Sequence, residues 1–410
     1  MSTEGTTFVT EETVGSTEGT TVATETKAET TILSSSSIAI AKVTPVQTSS
    51  VSTVITTDIC GLSLISQSEQ DTERSRRCFC DSFSEEVNCK HLDITSLPKL
   101  ISFPKSARDV SFAGNKIENI AEDTFYSGRY VINLDLSHNR IDFISIIAFQ
   151  AFKGLKRLDL SHNKIWNIPP KSFDGLTSLK YLNLGYNEIA TLTPDLFSAI
   201  PNLIELDLES NPLMELEPKL FEHLKHLEVL NLEATLLKVI PDHLFIFTPR
   251  LKILDLSSNE LRIVPTDALK FLDHLSTLKL SGNQITTISE EAFMGMRGLV
   301  TLYLDRMPLL SKIEKYAFGD LQNLQELHCS YNFFLTEINE KAFVKKTNNR
   351  KVDLAQLFLR QNSLERIPKD LLNWNENVEL HISDNPISCD CQAEWMIHLQ
   401  LKNDFQQHVR

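Results

Sequence analysis

Apolar and polar residues follow one another along most of the chain in a unit that recurs every 24 residues. Residues 134–141 and 158–165 show it most clearly, since they read LDLSHNRI and LDLSHNKI. Successive side chains of a strand point to opposite faces, so the L-x-L part predicts a short strand with one buried face. A single unit has no second layer to cover that apolar face. Stacked neighbours must cover it, which predicts a solenoid.

The asparagine of the unit gives the number and spacing of the repeats. Aligned on it, the chain has twelve units, with these residues at the asparagine position: Asn115, Asn139, Asn163, Asn187, Asn211, Thr235, Asn259, Asn283, Met307, Asn332, Asn362 and Asn385. The side-chain amide can satisfy backbone groups inside a turn. Thr235 can still form a hydrogen bond there, whereas Met307 cannot. We therefore predict an α/β solenoid, a curved horseshoe of about 12 repeats of mostly 24 residues, with a parallel β-sheet on its concave face.

A large apolar residue recurs once per repeat, after the strand and the asparagine. These residues are Phe125, Phe149, Phe173, Phe197, Phe221, Phe245, Phe293, Phe318 and Phe343, and Leu269 takes the position once. Burial of one such side chain stabilises the fold by roughly 1.5–3 kcal/mol. The spacing predicts an aromatic stack in the core and not a cofactor site. Extra residues between Phe343 and Leu354 predict a loop, which is either a tolerated insertion or part of a binding region.

Four cysteines precede the first repeat, at positions Cys60, Cys78, Cys80 and Cys89. The first coil of a solenoid has an open apolar end, which a small disulfide-stapled cap can cover. Spacing alone leaves all three possible pairings open. A zinc site would also use the C-x-C pair, but no second pair of His or Cys residues stands at the usual spacing. The disulfide cap is therefore the favoured interpretation.

The repeats and their flanks resemble a known family. The motifs that carry the resemblance are Cys78-Phe-Cys80, Val87-Asn-Cys89 and Leu97-Pro98 before the repeats, and Asn385-Pro386, Cys389-Asp-Cys391 and Trp395 after them. They are similar to the caps of extracellular leucine-rich-repeat proteins such as Slit, chondroadherin, chaoptin-like adhesion proteins and Toll-like receptor ectodomains. The resemblance implies disulfides Cys60–Cys80 and Cys78–Cys89. It also implies a non-enzymatic protein of the extracellular space.

These patterns divide the chain into four predicted parts. Residues 1–59 are rich in Ser and Thr and have no apolar periodicity, so they are expected to form a disordered tail. Residues 60–104 form the N-terminal cap, and residues 105–387 form the repeats. Residues 388–410 are expected to be a truncated C-terminal cap, because no cysteine follows Cys391.

The charge and hydropathy of the chain argue against a nucleic-acid partner and against a membrane-spanning segment. The formal net charge is −14, and the first 73 residues alone hold ten acidic and two basic groups. Nucleic-acid binding needs a basic footprint, so we expect no nucleic-acid partner. There is no apolar run long enough to cross a membrane. No signal peptide is visible, which conflicts with extracellular disulfides. An intracellular leucine-rich-repeat scaffold or regulatory subunit therefore stays as the alternative.

The candidate chemistry lies on the predicted concave face. Acidic residues and two tyrosines recur there and predict a site for a basic protein ligand: Asp135, Asp159, Tyr181, Tyr186, Glu205, Asp207, Glu209, Glu233 and Asp255. The alternative is that Asp in this column is ordinary repeat consensus. His138 and His162 stand side by side and suggest either a metal or pH-sensitive pair, or consensus again. No catalytic or phosphate-binding motif is present, so we predict no enzyme, no cofactor and no metal.

Overall fold

The computed structural model describes residues 57–60, 77–374, 378–388, 390–391 and 393–398. In chain order the strands are β1 (Thr57–Asp58), β2 (Phe79–Asp81), β3 (Glu86–Asn88), β4 (Ile101–Ser102), β5 (Asp109–Ser111), β6 (Asn119–Ile120), β7 (Phe125–Ser127), β8 (Asn133–Asp135), β9 (Phe143–Ile144), β10 (Arg157–Asp159), β11 (Tyr181–Asn183), β12 (Glu205–Asp207), β13 (Val229–Asn231), β14 (Ile253–Asp255), β15 (Thr277–Lys279), β16 (Thr287–Ile288), β17 (Thr301–Tyr303), β18 (Lys312–Ile313), β19 (Glu326–His328), β20 (Glu337–Ile338), β21 (Gln356–Phe358) and β22 (Glu379–His381). Short helical turns cover Pro194–Phe197, Thr266–Leu269 and Glu394–His398.

One large sheet runs the length of the repeat array. Its fourteen strands lie in the order β2-β3-β5-β8-β10-β11-β12-β13-β14-β15-β17-β19-β21-β22. Every repeat strand pairs in parallel with the next, and the register places Leu134, Leu158 and Leu182 opposite one another. There are also three smaller sheets, β1-β4-β7, β6-β9 and β16-β18-β20. Apart from β1, each of their strands follows a strand of the large sheet within the same coil. The predicted parallel solenoid with its sheet on the concave face is confirmed.

The recurring asparagines hold neighbouring coils together. The buried Asn163 donates through Nδ2 to the carbonyls of Leu136 and Leu160, both at 3.0 Å, and its Oδ1 accepts the backbone N–H of Ile141 at 3.0 Å. One side chain thus bridges two coils and satisfies backbone groups inside both turns, as predicted. Thr235 keeps part of this function, because its hydroxyl donates to the carbonyl of Leu232 at 2.8 Å.

The phenylalanine stack fills the core behind the sheet. Phe149 and Phe173 are fully buried, and their ring centroids are 6.4 Å apart. Phe221 and Phe245 repeat the arrangement at 6.2 Å. Leu269 takes the aromatic position at the end of the helical turn Thr266–Leu269 and is also fully buried. The stack is therefore core packing, as the spacing predicted.

The N-terminal cap closes the first coil. Its disulfides join Cys60 to Cys80 and Cys78 to Cys89, which is the pairing that the resemblance implied. The antiparallel hairpin β2–β3 extends the large sheet by pairing with β5. Strand β1 pairs in parallel with β4, and Ile59 is fully buried. Residues 57–59 therefore belong to the cap, although the sequence assigned them to the tail. The rest of the predicted tail lies outside the described residues.

The inserted residues after Phe343 fold back against preceding coils. Val344 and Lys351 pair as an isolated bridge at the base of the loop. Lys346 forms an ion pair of 2.7 Å with Glu290, and Lys345 forms one of 3.3 Å with Asp320. Because these lysines contact the solenoid itself, the structure favours the tolerated-loop interpretation.

Candidate functional site

The strands of the large sheet present their exposed side chains in rows on the concave face. We call the first residue of each repeat strand the first row, the third residue the second row, and the residue two positions beyond the strand the third row. The second row consists of Ser111, Asp135, Asp159, Asn183, Asp207, Asn231, Asp255, Lys279, Tyr303, His328, Phe358 and His381. Of the nine predicted contact residues, eight lie in these rows. Tyr186 lies beside the third row, in the turn after its strand.

Second-row Asp and Asn residues cap the backbone at the end of their own strand. Oδ1 of Asp159 accepts the backbone N–H and the hydroxyl of Ser161, at 2.9 and 2.6 Å. Oδ1 of Asn183 accepts the N–H of Gly185 at 2.9 Å in the same way. An amide oxygen thus accepts the same strand-end hydrogen bond as a carboxylate oxygen. For Asp135 and Asp159 the geometry favours the consensus interpretation, because their carboxylates satisfy local donors.

Four carboxylates gather in the middle of the face, and we call them the acidic cluster: Glu205, Asp207, Glu209 and Glu233. Glu205 and Asp207 lie on β12, and Glu209 and Glu233 are third-row neighbours on adjacent coils. Along the described chain, none of the four forms an ion pair with Lys, Arg or His. Burial raises the pKa of Asp207, and the nearby charges of Glu209 and Glu205 raise it further. Burial and the charges of Asp255 and Glu209 raise the pKa of Glu233.

Asp255 acts on Glu233 through its charge, but its own carboxylate is paired with a cation. Its side chain is 7% exposed, and Oδ2 lies 2.8 Å from the Nζ atom of Lys279 on the next strand. A paired, buried carboxylate offers little to an incoming partner. Among the described residues, Glu233 is therefore the last carboxylate of the predicted stripe that has no ion pair.

Aromatic side chains border the acidic cluster on its N-terminal side. The ring of Tyr186 stacks on His162 at 4.3 Å, and His162 stacks on His138 at 4.1 Å. Burial lowers the pKa of His162, and the nearby imidazole of His138 lowers it further. Tyr181 carries the guanidinium of Arg157 over its ring at 4.0 Å. Nowhere in the described residues do three His, Cys, Asp or Glu side chains converge as metal ligands.

A second aromatic group was missed from the sequence, although its residues stand in the second row. Tyr303, His328, Phe358 and His381 form one continuous ladder, with successive centroids 4.3, 4.4 and 4.5 Å apart. The rings are close to parallel, at 7° to 16°. We call them the aromatic ladder. Alignment on the repeat asparagine places these four residues in one outward-facing column, although the last repeats are 25, 30 and 23 residues long, but it does not show that their rings stack.

The regular part of the repeat array matches the model of a known protein family. The Leucine rich repeat model matches residues 107–165, 153–213, 201–261 and 249–309. The chain is a leucine-rich-repeat protein. These overlapping matches cover the most regular part of the array, where the 24-residue spacing is unbroken.

Solved structures with the same fold include chains of three complexes. A chain of the Drosophila Toll–Spatzle complex has a TM-score of 0.58 and 23% identity, with 76% of this chain and 49% of that chain covered. The TLR13–ssRNA13 complex gives 0.51 and 26%, with 71% and 49% covered. The mouse RP105/MD-1 complex gives 0.57 and 22%, with 76% and 48% covered. The chain spans about half the length of the chains it matches.

Part of the C-terminal region is also described. The indole rings of Trp374 and Trp395 pack with centroids 5.1 Å apart, and Cys391 is exposed and unpaired among the described residues. Cys389 lies outside them. No helix in the described part of the chain is both long and apolar enough to cross a membrane.

Proposed function

We propose that this protein is a non-enzymatic binding module of the extracellular space, working in adhesion, matrix organisation or ligand capture, and that its concave face binds a basic protein partner. The acidic cluster carries the proposal, because four carboxylates converge on adjacent coils of this leucine-rich-repeat protein without a cation of the described chain to pair with. Disulfides form and persist in oxidising compartments, so the two cap disulfides support an extracellular location.

A basic partner would relieve a cost that the free protein bears. Like charges on neighbouring strands repel, and burial makes the ionised state of Asp207 and Glu233 costlier still. Lysine or arginine side chains of a partner would favour that state. Tyr181 and Tyr186 stand beside the cluster, and tyrosine is enriched among the residues that dominate binding energy. They are the proposed aromatic anchors of the interface.

The same charges argue for protein and against nucleic acid as the partner. The TLR13 complex contains single-stranded RNA, whereas the Toll and RP105 complexes contain the proteins Spatzle and MD-1. A phosphate backbone would meet the acidic cluster as a repulsive surface, since its binding depends on neutralisation by Lys and Arg. We therefore propose a protein ligand.

A variant that removes charges of the acidic cluster but keeps the hydrogen bonds at the strand ends tests the proposal. In the triple variant Glu205→Gln, Asp207→Asn and Glu209→Gln, each amide keeps the shape and the acceptor oxygen of the acid. Association kinetics would be measured against an array of purified extracellular domains at low and physiological salt. We expect association with the bound domains to slow by about tenfold or more, because electrostatic steering over this surface is lost.

The matched control changes three exposed acids outside the strand rows, Glu188→Gln, Glu215→Gln and Glu217→Gln. It removes the same amount of charge, but outside the strand rows. Its association rates should therefore stay within about twofold of those of the unmodified chain. Equal losses in both triple variants, or no loss in either, would contradict the proposal.

The intracellular-scaffold alternative makes a different prediction for the cap. It requires Cys60, Cys78, Cys80 and Cys89 to be reduced in protein isolated from its natural source. Alkylation under denaturing, non-reducing conditions, followed by mass spectrometry, counts these thiols. Four blocked thiols support the extracellular proposal, and four free thiols favour the intracellular scaffold.

A further inference from the structure

Basic residues recur along the edge of the large sheet at which the repeat strands begin. In each of the first four repeats, six residues lead directly into the strand. These segments, residues 103–108, 127–132, 151–156 and 175–180, hold six basic residues and no acidic one. We call these basic residues the basic flank: Lys105, Arg108, Arg129, Lys153, Lys156 and Lys180. The flank is a concentration of positive charge on a chain whose net charge is −14.

The backbone stacks the residues of the basic flank from coil to coil. The N–H of Lys180 donates to the carbonyl of Lys156 at 2.9 Å. Gly154 lies so close to the preceding coil that a β-carbon there would be 2.6 Å from the carbonyl oxygen of Arg129. Adjacent coils are about 4.8 Å apart, so the flank runs for about 14 Å over its three coil spacings. Like charges therefore stand side by side, an arrangement that costs stability.

Most of these charges have no counter-ion within the described part of the chain. Arg108 lies 3.8 Å from Glu85 of the cap hairpin. No ion pair with a described residue is formed by the five others, all of which are exposed: Lys105, Arg129, Lys153, Lys156 and Lys180. A later coil differs, because Lys252, which stands at the same place before its strand, pairs with Glu228 at 2.7 Å. Neutralisation is thus possible at this edge, and the first four coils lack it.

The acids that border the flank do not cancel its charge. Asp109 follows Arg108 in β5 and accepts a hydrogen bond from the side-chain amide of Asn133. Asp174 stands just before the last of the four segments and is half-buried. Even when both are counted against the five unpaired cations, positive charge is in excess.

Two arginines at this edge are held over tyrosine rings. The guanidinium of Arg157, the first residue of β10, lies 4.0 Å from the ring centroid of Tyr181. That of Arg108 lies 5.7 Å from the centroid of Tyr130. Arg157 is exposed and has no ion pair among the described residues. A planar guanidinium held in this way can donate two parallel N–H bonds to a tetrahedral oxyanion such as sulfate.

The chemistry of this edge suits a sulfated polysaccharide better than a nucleic acid. Proteins that bind single-stranded nucleic acids stack the bases on open aromatic faces. One face of Tyr130 and one of Tyr181 are already covered by arginines of the chain itself. A sulfated polysaccharide has no base to stack, and clusters of Lys and Arg are typical of heparin-binding surfaces.

The acidic cluster limits the site on one side. The strand register places Glu205 beside Tyr181, directly after the last coil of the basic flank. A polyanion that continued past β11 would meet the carboxylates of the cluster and be repelled. The site is therefore confined to the first four coils and has room for a short run of a linear chain.

We infer that the basic flank, together with Arg157, binds a linear sulfated polysaccharide of the heparin class through its sulfate groups. The inference goes beyond the proposed function and rests on it only for the extracellular location, where such polysaccharides occur. The protein ligand of the acidic cluster has no part in it. The flank supplies charge along a line, and Arg157 supplies the oriented guanidinium.

Binding of the full chain to immobilised heparin, measured from about 0.05 to about 0.5 M salt, tests the inference. The double variant Lys156→Gln and Lys180→Gln removes two neighbouring cations of the flank. We expect it to weaken binding about tenfold or more at physiological salt. The slope of log affinity against log salt should fall by roughly one for each cation removed. Both lysines are exposed, so the variant should fold normally.

The matched control is Lys164→Gln with Lys219→Gln, which removes two exposed lysines outside the flank. Its affinity for heparin should stay within about twofold of that of the unmodified chain. The triple amide variant of the acidic cluster should also bind heparin, which separates a failure of this inference from a failure of the proposed function. Chemically desulfated heparin, polyglutamate and single-stranded RNA serve as comparison probes, and each should bind more weakly than heparin.

Three results would overturn the inference while the proposed function stands. The first is the absence of heparin binding at physiological salt. The second is an equal loss of affinity in the flank variant and its matched control. The third is binding of polyglutamate or single-stranded RNA as tight as that of heparin, which would assign the flank to acidic proteins or to nucleic acids.

Discussion

The hydroxyl of Tyr186 donates a 2.6 Å hydrogen bond to Oε1 of Glu209, which lies on the next coil of the solenoid. This contact joins the imidazole–tyrosine stack to the acidic cluster. The hydrogen bond and the charge of Glu209 raise the pKa of Tyr186, because both favour the protonated phenol. The charge of Glu209 therefore acts on the aromatic side chains beside the acidic cluster.

Glu209→Gln should lower the pKa of Tyr186 towards its ordinary value. The substitution removes the negative charge and replaces a charged acceptor by a weaker neutral one. The phenol, which otherwise stays protonated to a higher pH, would then ionise earlier in an alkaline titration followed by NMR of labelled tyrosine. Glu215→Gln serves as control and should leave the titration unchanged. An unaltered Tyr186 curve in Glu209→Gln would show that the contact does not govern the phenol.

Asp207→Asn should stabilise the protein at neutral pH and flatten the dependence of stability on pH. The folded pKa of Asp207 lies above its unfolded value, so the folded state holds the proton more tightly. Stability from this group is present below the unfolded pKa and is lost as pH rises through the folded pKa. The amide can still cap the backbone N–H of Glu209, as Asn183 does for Gly185.

Urea unfolding at neutral pH and at a pH below the ordinary pKa of an aspartate carboxyl, about 3.9, measures the effect of Asp207→Asn. The advantage of the variant should be larger at neutral pH, where the unmodified carboxyl is ionised. Glu217→Gln, at an exposed position, is the matched control. A gain of equal size at both pH values would point to packing and not to charge.

Much of the fold could be predicted because one short sequence pattern recurs in successive coils. The spacing of Asn139 and Asn163 defines the coil, and the L-x-L pattern places Leu134 and Leu158 in register on adjacent strands. Each coil needs its neighbours to bury this apolar side, so the rule dictates long-range structure as well. The positions of Glu205, Asp207 and Glu209 on one face followed from the same alternation.

The sequence did not reveal features that depend on several irregular coils at once. His328, Phe358 and His381 form the ladder only after repeats of unequal length are brought into register. The burial of Ile59 and the pairing of β1 with β4 lie outside the repeats, where no periodicity marks them. Nor could spacing show that Lys279 pairs with Asp255.

Asn163→Ala should destabilise the protein by about 1–3 kcal/mol, the usual cost of a buried polar group without a partner. The substitution leaves the backbone N–H of Ile141 without its acceptor, whereas the carbonyls of Leu136 and Leu160 keep a second asparagine donor. Urea denaturation followed by circular dichroism measures the loss. The exposed Asn167→Ala should change stability by less than about 0.5 kcal/mol. Equal effects at both sites would contradict the bridging function of Asn163.

Cys329 should resist alkylation in the folded protein and react only after unfolding. It is fully buried at a strand-face leucine position, and Nδ2 of Asn332 lies 3.2 Å from its sulfur. Burial raises the pKa of the thiol strongly, and the nearby charge of Asp305 raises it further, so the reactive thiolate is scarce even in mildly alkaline solution. Exposed Cys391 should react in the folded state. Iodoacetamide labelling with and without urea, read by peptide mass spectrometry, distinguishes the two sites. Rapid labelling of Cys329 in the folded chain would contradict this prediction and would mean that the last repeats open readily.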